Sequence, residues 1–281
     1  MEKRLVINAD DFGLCQAVNK AVVKAHTEGV LTSATIMANM PAAEQAARLA
    51  KGLPGLGVGV HLNLTNGKPL CGAGGLAPLL NRSGEFKGSA AALSVLSLAP
   101  GVGKAIRAEL SEQIRWVIDH GVKPTHVDSH KHVHTIPRIF SMVCQVARYF
   151  GIGAARFAYE PRAVWAVPWP LPAEGQKTKA RFFGVLAQIN RLQNHDFFKT
   201  DAILGIAHMG KLDASFFRAV ALYNPVGTAE IMTHPGFDES DEGERSGLGS
   251  RRRMELEALC SEKTKDYLEQ GQIKLVHYGQ L

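Results

Sequence analysis

Short apolar runs alternate with stretches of helical period along most of this chain. The first run, Arg4-Leu5-Val6-Ile7-Asn8-Ala9, breaks at Asp10-Asp11-Phe12-Gly13 and reads as a buried strand ending in a loop. Val18, Ala21, Val22 and Ala25 follow at helical spacing, with Gly29 as the stop. Residues 33–37 predict a second strand, residues 42–51 a helix, and Gly57-Val58-Gly59-Val60 a third strand that delivers His61. From Asn66 to about Gly103 the pattern loosens into Gly, Pro, Ser and Ala, the composition of a long excursion. Ile106, Leu110, Ile114 and Val117 mark the next helix, closed by Gly121. A fourth strand starts after Pro124, and Pro137 suits the first turn of a helix whose apolar face is Ile139, Phe140, Val143, Ala147 and Phe150. Residues 154–157, 201–206 and 229–232 predict three more strands and residues 273–277 an eighth, with helices from about Asp213 and Arg252.

Strands alternating with helices imply parallel pairing through right-handed crossovers, hence a barrel or a doubly wound sheet. The length of 281 residues suits one large α/β domain or two small ones, and no internal repeat is evident.

Composition narrows the partners. With 46% hydrophobic and 21% charged residues the chain reads as globular. The net charge of +6 and a pI near 9.2 permit attraction to phosphates or an anionic surface, but the basic residues are scattered, so nucleic acid is not expected. Only Arg251-Arg252-Arg253, opening the last predicted helix, departs from that scatter. Cys15, Cys71, Cys144 and Cys260 lie far apart and form no C-x-x-C pair, which fits a reducing cytoplasm. No secretory pattern precedes Lys3-Arg4-Leu5, and no apolar run approaches the roughly 20 residues of a membrane span. Any membrane contact is expected from the side, at the inner face.

Candidate chemistry concentrates in Thr125-His126-Val127-Asp128-Ser129-His130-Lys131-His132-Val133-His134. Four of the 11 histidines stand there with an aspartate at two-residue spacing, which in an extended backbone points all five side chains one way. Imidazole and carboxylate together suit a borderline cation such as Zn²⁺; the plain alternative is a solvated turn. Asp10 and Asp11, His61, Asp128 and His130, His208 and His234 each follow a predicted strand. In parallel α/β architectures those carboxyl ends share one rim, so a common site is the favoured reading. Adjacent carboxylates diverge, so one of Asp10 and Asp11 is expected on a metal and the other free to act as a base, unless the pair merely caps the next helix. His234, held by Pro235, could protonate a leaving group or polarise a carbonyl. His208 reads equally as substrate contact or packing, and His132 and His134 either orient ligands or stand exposed.

Four stretches resemble, in order, the signatures of the YdjC-like carbohydrate deacetylases: Asn8-Ala9-Asp10-Asp11-Phe12-Gly13, Gly59-Val60-His61-Leu62-Asn63-Leu64 with its continuation to Leu70, the His-rich stretch, and Thr233-His234-Pro235-Gly236. Glu109-Leu110 and Gln113-Ile114 extend the match, which covers nearly the whole chain. The resemblance implies a distorted, TIM-like (β/α) barrel of seven or eight strands. One domain would span residues 1–281, with insertions at 66–103 and 159–200. It implies removal of acetate from an N-acetylated amino sugar with one divalent metal, Zn²⁺ first and Mg²⁺ or Mn²⁺ as alternatives. Asp11, His61 and His130 would be its ligands, Asp10 the base, and His234 the acid or oxyanion-side group. Lys131 departs from the family pattern.

Gly205-Ile206-Ala207-His208-Met209-Gly210 is similar to the hopanoid-associated HpnK branch, which implies an N-acetylglucosaminyl hopanoid as substrate rather than a chitooligosaccharide. Trp165 and Trp169, the basic Lys177, Lys179 and Arg181, and the helical spacing of Phe182, Val185, Leu186 and Ile189 suit an interfacial lid; a homodimer contact or a helix packed on the barrel is the other reading. Two rivals stand beside the deacetylase. One is a metal phosphohydrolase or amidohydrolase using His132 and His134 as an H-x-H pair, and the other a sugar- or lipid-binding protein, such as a glycolipid binder, without turnover.

Overall fold

A computed structural model describes residues 2–166, 172–223, 227–237 and 248–281. Its centre is a parallel sheet of β1 (Lys3–Phe12), β2 (Ser33–Ile36), β3 (Gly57–Leu62), β4 (Val127–Ser129), β5 (Ala202–Leu204), β6 (Gly227–Thr233) and β7 (Ile273–Leu275). The order is β4-β3-β2-β1-β6-β5; β7 pairs with the first residues of β1, from Lys3 to Leu5, and β2 with the later ones. From Leu5 to Phe12 every residue of β1 is buried, as a strand covered on both faces must be.

The helices α1 (Gln16–Thr27), α2 (Ala43–Lys51), α3 (Ala90–Leu96), α4 (Val102–Asp119), α5 (Pro137–Tyr149), α6 (Glu174–Gln193) and α7 (Ala214–Tyr223) lie between the strands. Two more, α8 (Arg251–Leu259) and α9 (Glu262–Gln270), precede β7. The single final helix expected from about Arg252 is therefore two helices, broken at Cys260-Ser261.

Residues 154–159 join the two edges of the sheet. The Val127 N–H donates to Ala154 O (3.0 Å) and Arg156 N–H to Val127 O (3.0 Å), while Ile203 N–H donates to Tyr159 O (2.9 Å). Isolated bridges run from Val127 to Ala155 and from Ala155 to Phe198. The result is the expected distorted barrel, but the strand predicted at 154–157 is reduced to these bridges. Its backbone turns at once, with Tyr159 N–H bonded to Phe157 O at 2.8 Å.

The excursion from Asn66 is better ordered than its composition implies. It holds a 3₁₀ turn at Gly74–Leu79 and the helix α3, and it buries Leu76, Leu79, Phe86 and Leu93. Glu109 of α4 accepts from the N–H groups of Leu70 and Cys71 (3.1 and 2.9 Å). Gln113 exchanges two hydrogen bonds with the backbone of Asn63 (2.8 and 2.7 Å), which anchors the chain two residues beyond His61. Among the described residues no helix is long and apolar enough to cross a membrane.

Candidate metal centre

The centre forms where β1, β3 and β4 end. Between Ala9 and Phe12 β1 carries a bulge against β2, one extra residue, and Asp11 within it has a left-handed backbone (φ 65°). A bulge of this kind re-aims side chains. Asp10 and Asp11 are consequently delivered to different partners although they are adjacent.

Asp11 Oδ1 lies 3.1 Å from His130 Nδ1 and 3.5 Å from His61 Nε2, and donor atoms of Asp11, His61 and His130 all fall within 4.8 Å of one another. His61 stands beside Asp128 in the β3–β4 register, and Asp128 Oδ1 is 2.7 Å from His61 Nδ1. That bond leaves Nε2 directed at Asp11, the arrangement by which a carboxylate orients a metal-ligating imidazole. One carboxylate and two imidazoles suit Zn²⁺, Mn²⁺ or a similar divalent ion, so the residues present fit the group.

A second grouping, Asp10, His61 and Asp128, also converges, but a protein cation already fills it. The fully buried Arg156 holds Asp10 through Nη1–Oδ2 (2.7 Å) and Nη2–Oδ1 (2.5 Å). It also contacts Asp128 Oδ2 (2.9 Å) and Glu230 Oε1 (2.9 Å). Glu230 accepts in turn from the Tyr278 hydroxyl (2.6 Å). Burial alone would push Asp10 toward its neutral form, but the Arg156 guanidinium outweighs it and holds the carboxyl far below the carboxylate range. Asp11 is likewise desolvated, and Arg252, whose Nη2 is 2.5 Å from Oδ2, with His130 and His61, keeps it well below that range. For His61 burial opposes the charge, yet Asp128, Asp10 and Asp11 win and raise it to about 10 without a cation; a bound cation competes with that proton for Nε2.

His234 follows β6, with Nε2 4.0 Å from Asp10 Oδ2 and its backbone N–H on Glu255 Oε2 (2.6 Å). Burial lowers its imidazole to about 4, so it is neutral near pH 7, and burial raises the Glu255 carboxyl to about 7.

The strict two-residue alternation expected after Asp128 is not what forms. β4 stops at Ser129, and Lys131 and His132 turn through left-handed conformations (φ 56° and 54°). The side chains therefore scatter. Asp128 stands behind His61. His132 lines the pocket, its ring 5.0 Å from that of Phe183 on α6. His134 Nδ1 is 2.6 Å from Ser129 Oγ, and His126 stacks on Tyr278 at 3.8 Å. His132 and His134 form no joint ligand pair among the described residues. His208 packs near Phe216 (5.7 Å), while Ile206 and Met209 form the pocket wall in its place. Trp165 also misses the pocket: it is buried, its Nε1 donates to Glu160 (3.1 Å), and the Arg181 guanidinium lies 5.4 Å from its ring centre. Trp169 lies outside the described residues.

Sequence reasoning passed over Arg156, Glu230, Arg252 and Glu255. A signal existed: Arg156 and Glu230 each interrupt an apolar predicted strand with a charge, and the two charges are opposite. Arg252 was masked by its exposed-looking basic run.

A pocket of about 490 Å³ contains Asp10, Asp11, His61, His130 and His234. An apolar groove of about 330 Å³ adjoins it, sharing Ala90, Lys131, His132 and Phe183. The larger groove, about 1170 Å³, meets the centre only at His130.

Barrel, rim site and donor set together define the class of α/β-barrel proteins with an Asp-His-His centre at the carboxyl ends of the strands. Residues 4–270 match the model of the YdjC-like protein family, and the chain belongs to that family. It is 34% identical to a carbohydrate deacetylase of Brevibacillus brevis, over 99% of both chains. It is also 32% identical to a chitooligosaccharide deacetylase of Yersinia enterocolitica, over 99% of both. A crystal structure from Enterococcus faecalis, provisionally called a cellobiose-phosphate cleavage protein, superposes with a TM-score of 0.80 at 25% identity, covering 100% of this chain and 99% of that one.

Proposed function

We propose that this chain is a carbohydrate deacetylase that releases acetate from an N-acetylated amino sugar, with Asp11, His61 and His130 holding one divalent ion. The observation that carries the reading is the convergence of those three donors within 4.8 Å, inside the pocket that also contains Asp10 and His234. A divalent ion bound there supplies Lewis acidity toward the acetamide carbonyl and acidifies water. Zn²⁺ is favoured by two imidazoles, with Mg²⁺ or Mn²⁺ as alternatives.

Asp128 fixes the tautomer of His61. Asp10, kept ionised by Arg156, accepts the proton of the attacking water and returns it to the departing amine. His234, kept neutral by burial, donates a hydrogen bond on the oxyanion side rather than acting as the acid.

The finer substrate is a lipid-linked sugar, an N-acetylglucosaminyl hopanoid, handled at the inner face of the membrane. Two features support it. The apolar groove continues directly from the pocket, and Phe182, Val185, Ile189 and Leu192 leave an exposed apolar stripe along α6 beside Lys179 and Arg181. Trp165, though buried, lines a cleft together with Arg181, Val185, Ile189 and Leu192 of that surface. The experiment is acetate release from N-acetylglucosaminyl hopanoid and from chitobiose, repeated with each ion. Faster turnover of chitobiose removes the lipid reading, and binding without product under every ion makes the protein a glycolipid binder. Phosphate release from sugar phosphates makes it a phosphohydrolase. Sedimentation of a dimer whose contact covers α6 reassigns the stripe to self-association.

A further inference from the structure

The two oxygens of Asp11 have different neighbours. Oδ1 faces His61 and His130, whereas Oδ2 is 2.5 Å from Nη2 of Arg252, a side chain only 2% exposed in the first turn of α8. We propose that Arg252 is a positioning residue that confines Asp11 to the metal through a single oxygen and so biases the centre against large, oxygen-seeking cations. This rests on the metal site proposed above.

The guanidinium has little freedom to leave. Gly236 N–H donates to Arg252 O (3.2 Å), and a Cβ at Gly236 would stand 3.0 Å from Arg252 Cδ and 3.1 Å from its Cβ, so the loop after His234 lies flat on the arginine stem. One turn along the same helix, Glu255 holds His234 N–H and Gly210 N–H. Asp11 is equally constrained, because its left-handed backbone in the bulge fixes where the carboxylate starts. With Oδ2 taken by a cation, the carboxylate is half spent and its charge compensated before any ion arrives. Ca²⁺ takes about 6–8 oxygens and favours bidentate carboxylates, so it loses most by this arrangement. Zn²⁺ needs about four donors and accepts two imidazoles with one carboxylate oxygen, so it loses least.

The test titrates metal-free wild type, Arg252→Lys and Arg252→Met with Zn²⁺, Mn²⁺ and Ca²⁺ against a competing chelator, and solves the metal-loaded wild type by crystallography. The Lys variant keeps charge and donor and is expected to keep the wild-type order of affinities. The Met variant frees Oδ2 and is expected to tighten Mn²⁺ and Ca²⁺ relative to Zn²⁺ by about 10-fold or more, the scale of effect for groups that orient metal ligands. Equal weakening of all three ions in the Met variant would give Arg252 a merely structural role and overturn the inference. So would a wild-type crystal with both Asp11 oxygens on the ion, a result that does not depend on either variant folding. Failure of the wild type to bind any ion removes the metal centre itself, and this inference with it.

Discussion

Replacing Arg156 by Met strips one guanidinium from three buried carboxylates, Asp10, Asp128 and Glu230. Breaking a buried ion pair costs about 3–5 kcal/mol, because the partner is left charged and desolvated. The three losses do not add. One group serves all three carboxylates, and Asn8 remains on Asp10 (2.9 Å), His61 on Asp128 and Tyr278 on Glu230. At roughly 2–4 °C per kcal/mol for a chain of this size, the melting temperature near neutral pH should fall by about 6–20 °C. The sign of the pH dependence follows from Asp10. In the wild type its folded value lies below the ordinary 3.8, so its contribution is fully present well above 3.8 and is lost as pH falls from there through the lower folded value. In the variant, burial is the largest influence and is opposed only by the smaller contributions of His61 and His234, so the carboxyl moves upward and the stability gained with rising pH is lost. The gap between the two proteins should therefore be small near pH 4 and widen toward pH 7 in thermal melts followed by circular dichroism. A gap below roughly 3 °C at neutral pH, or one that does not widen with pH, refutes the account of Arg156 as the counter-charge of the site.

Four further outcomes are expected. Asp10→Asn should cut acetate release by about 10²–10⁴-fold while bound metal per chain is unchanged; loss of the ion would make Asp10 a ligand. Asp128→Ala should weaken metal binding about 10–100-fold by releasing His61 Nδ1, and an unchanged affinity in a chelator competition would contradict that role. Val185→Ser combined with Leu192→Ser should leave turnover of a soluble substrate intact and reduce sedimentation with anionic vesicles; unchanged sedimentation removes the membrane contact. Burial lowers His134 to about 3, below its ordinary 6.5, so the unfolded chain takes the proton first and stability is lost as pH falls from about 6.5 toward 3. His134→Asn should flatten that acid limb, and parallel melting curves for the two proteins would show that His134 does not contribute to it.

The alternation of elements, and with it the barrel, was legible in the chain because each strand is a local apolar run and each helix a local period. The same locality made the rim visible: Asp10, Asp11, His61, His130 and His234 sit where their strands end, a fact of position along the chain. What the sequence could not show was direction and pairing. The bulge at Asp10-Asp11 and the left-handed turn at Lys131-His132 depend on how β1 and β4 meet their neighbours, so the apparent alternation of histidines dissolved in the folded chain. Arg156 lies 146 residues from Asp10, and Arg252 lies 241 residues from Asp11. A counter-charge is chosen by proximity in space, within a medium too poor in water to leave a carboxylate alone, and only the closed barrel creates that proximity.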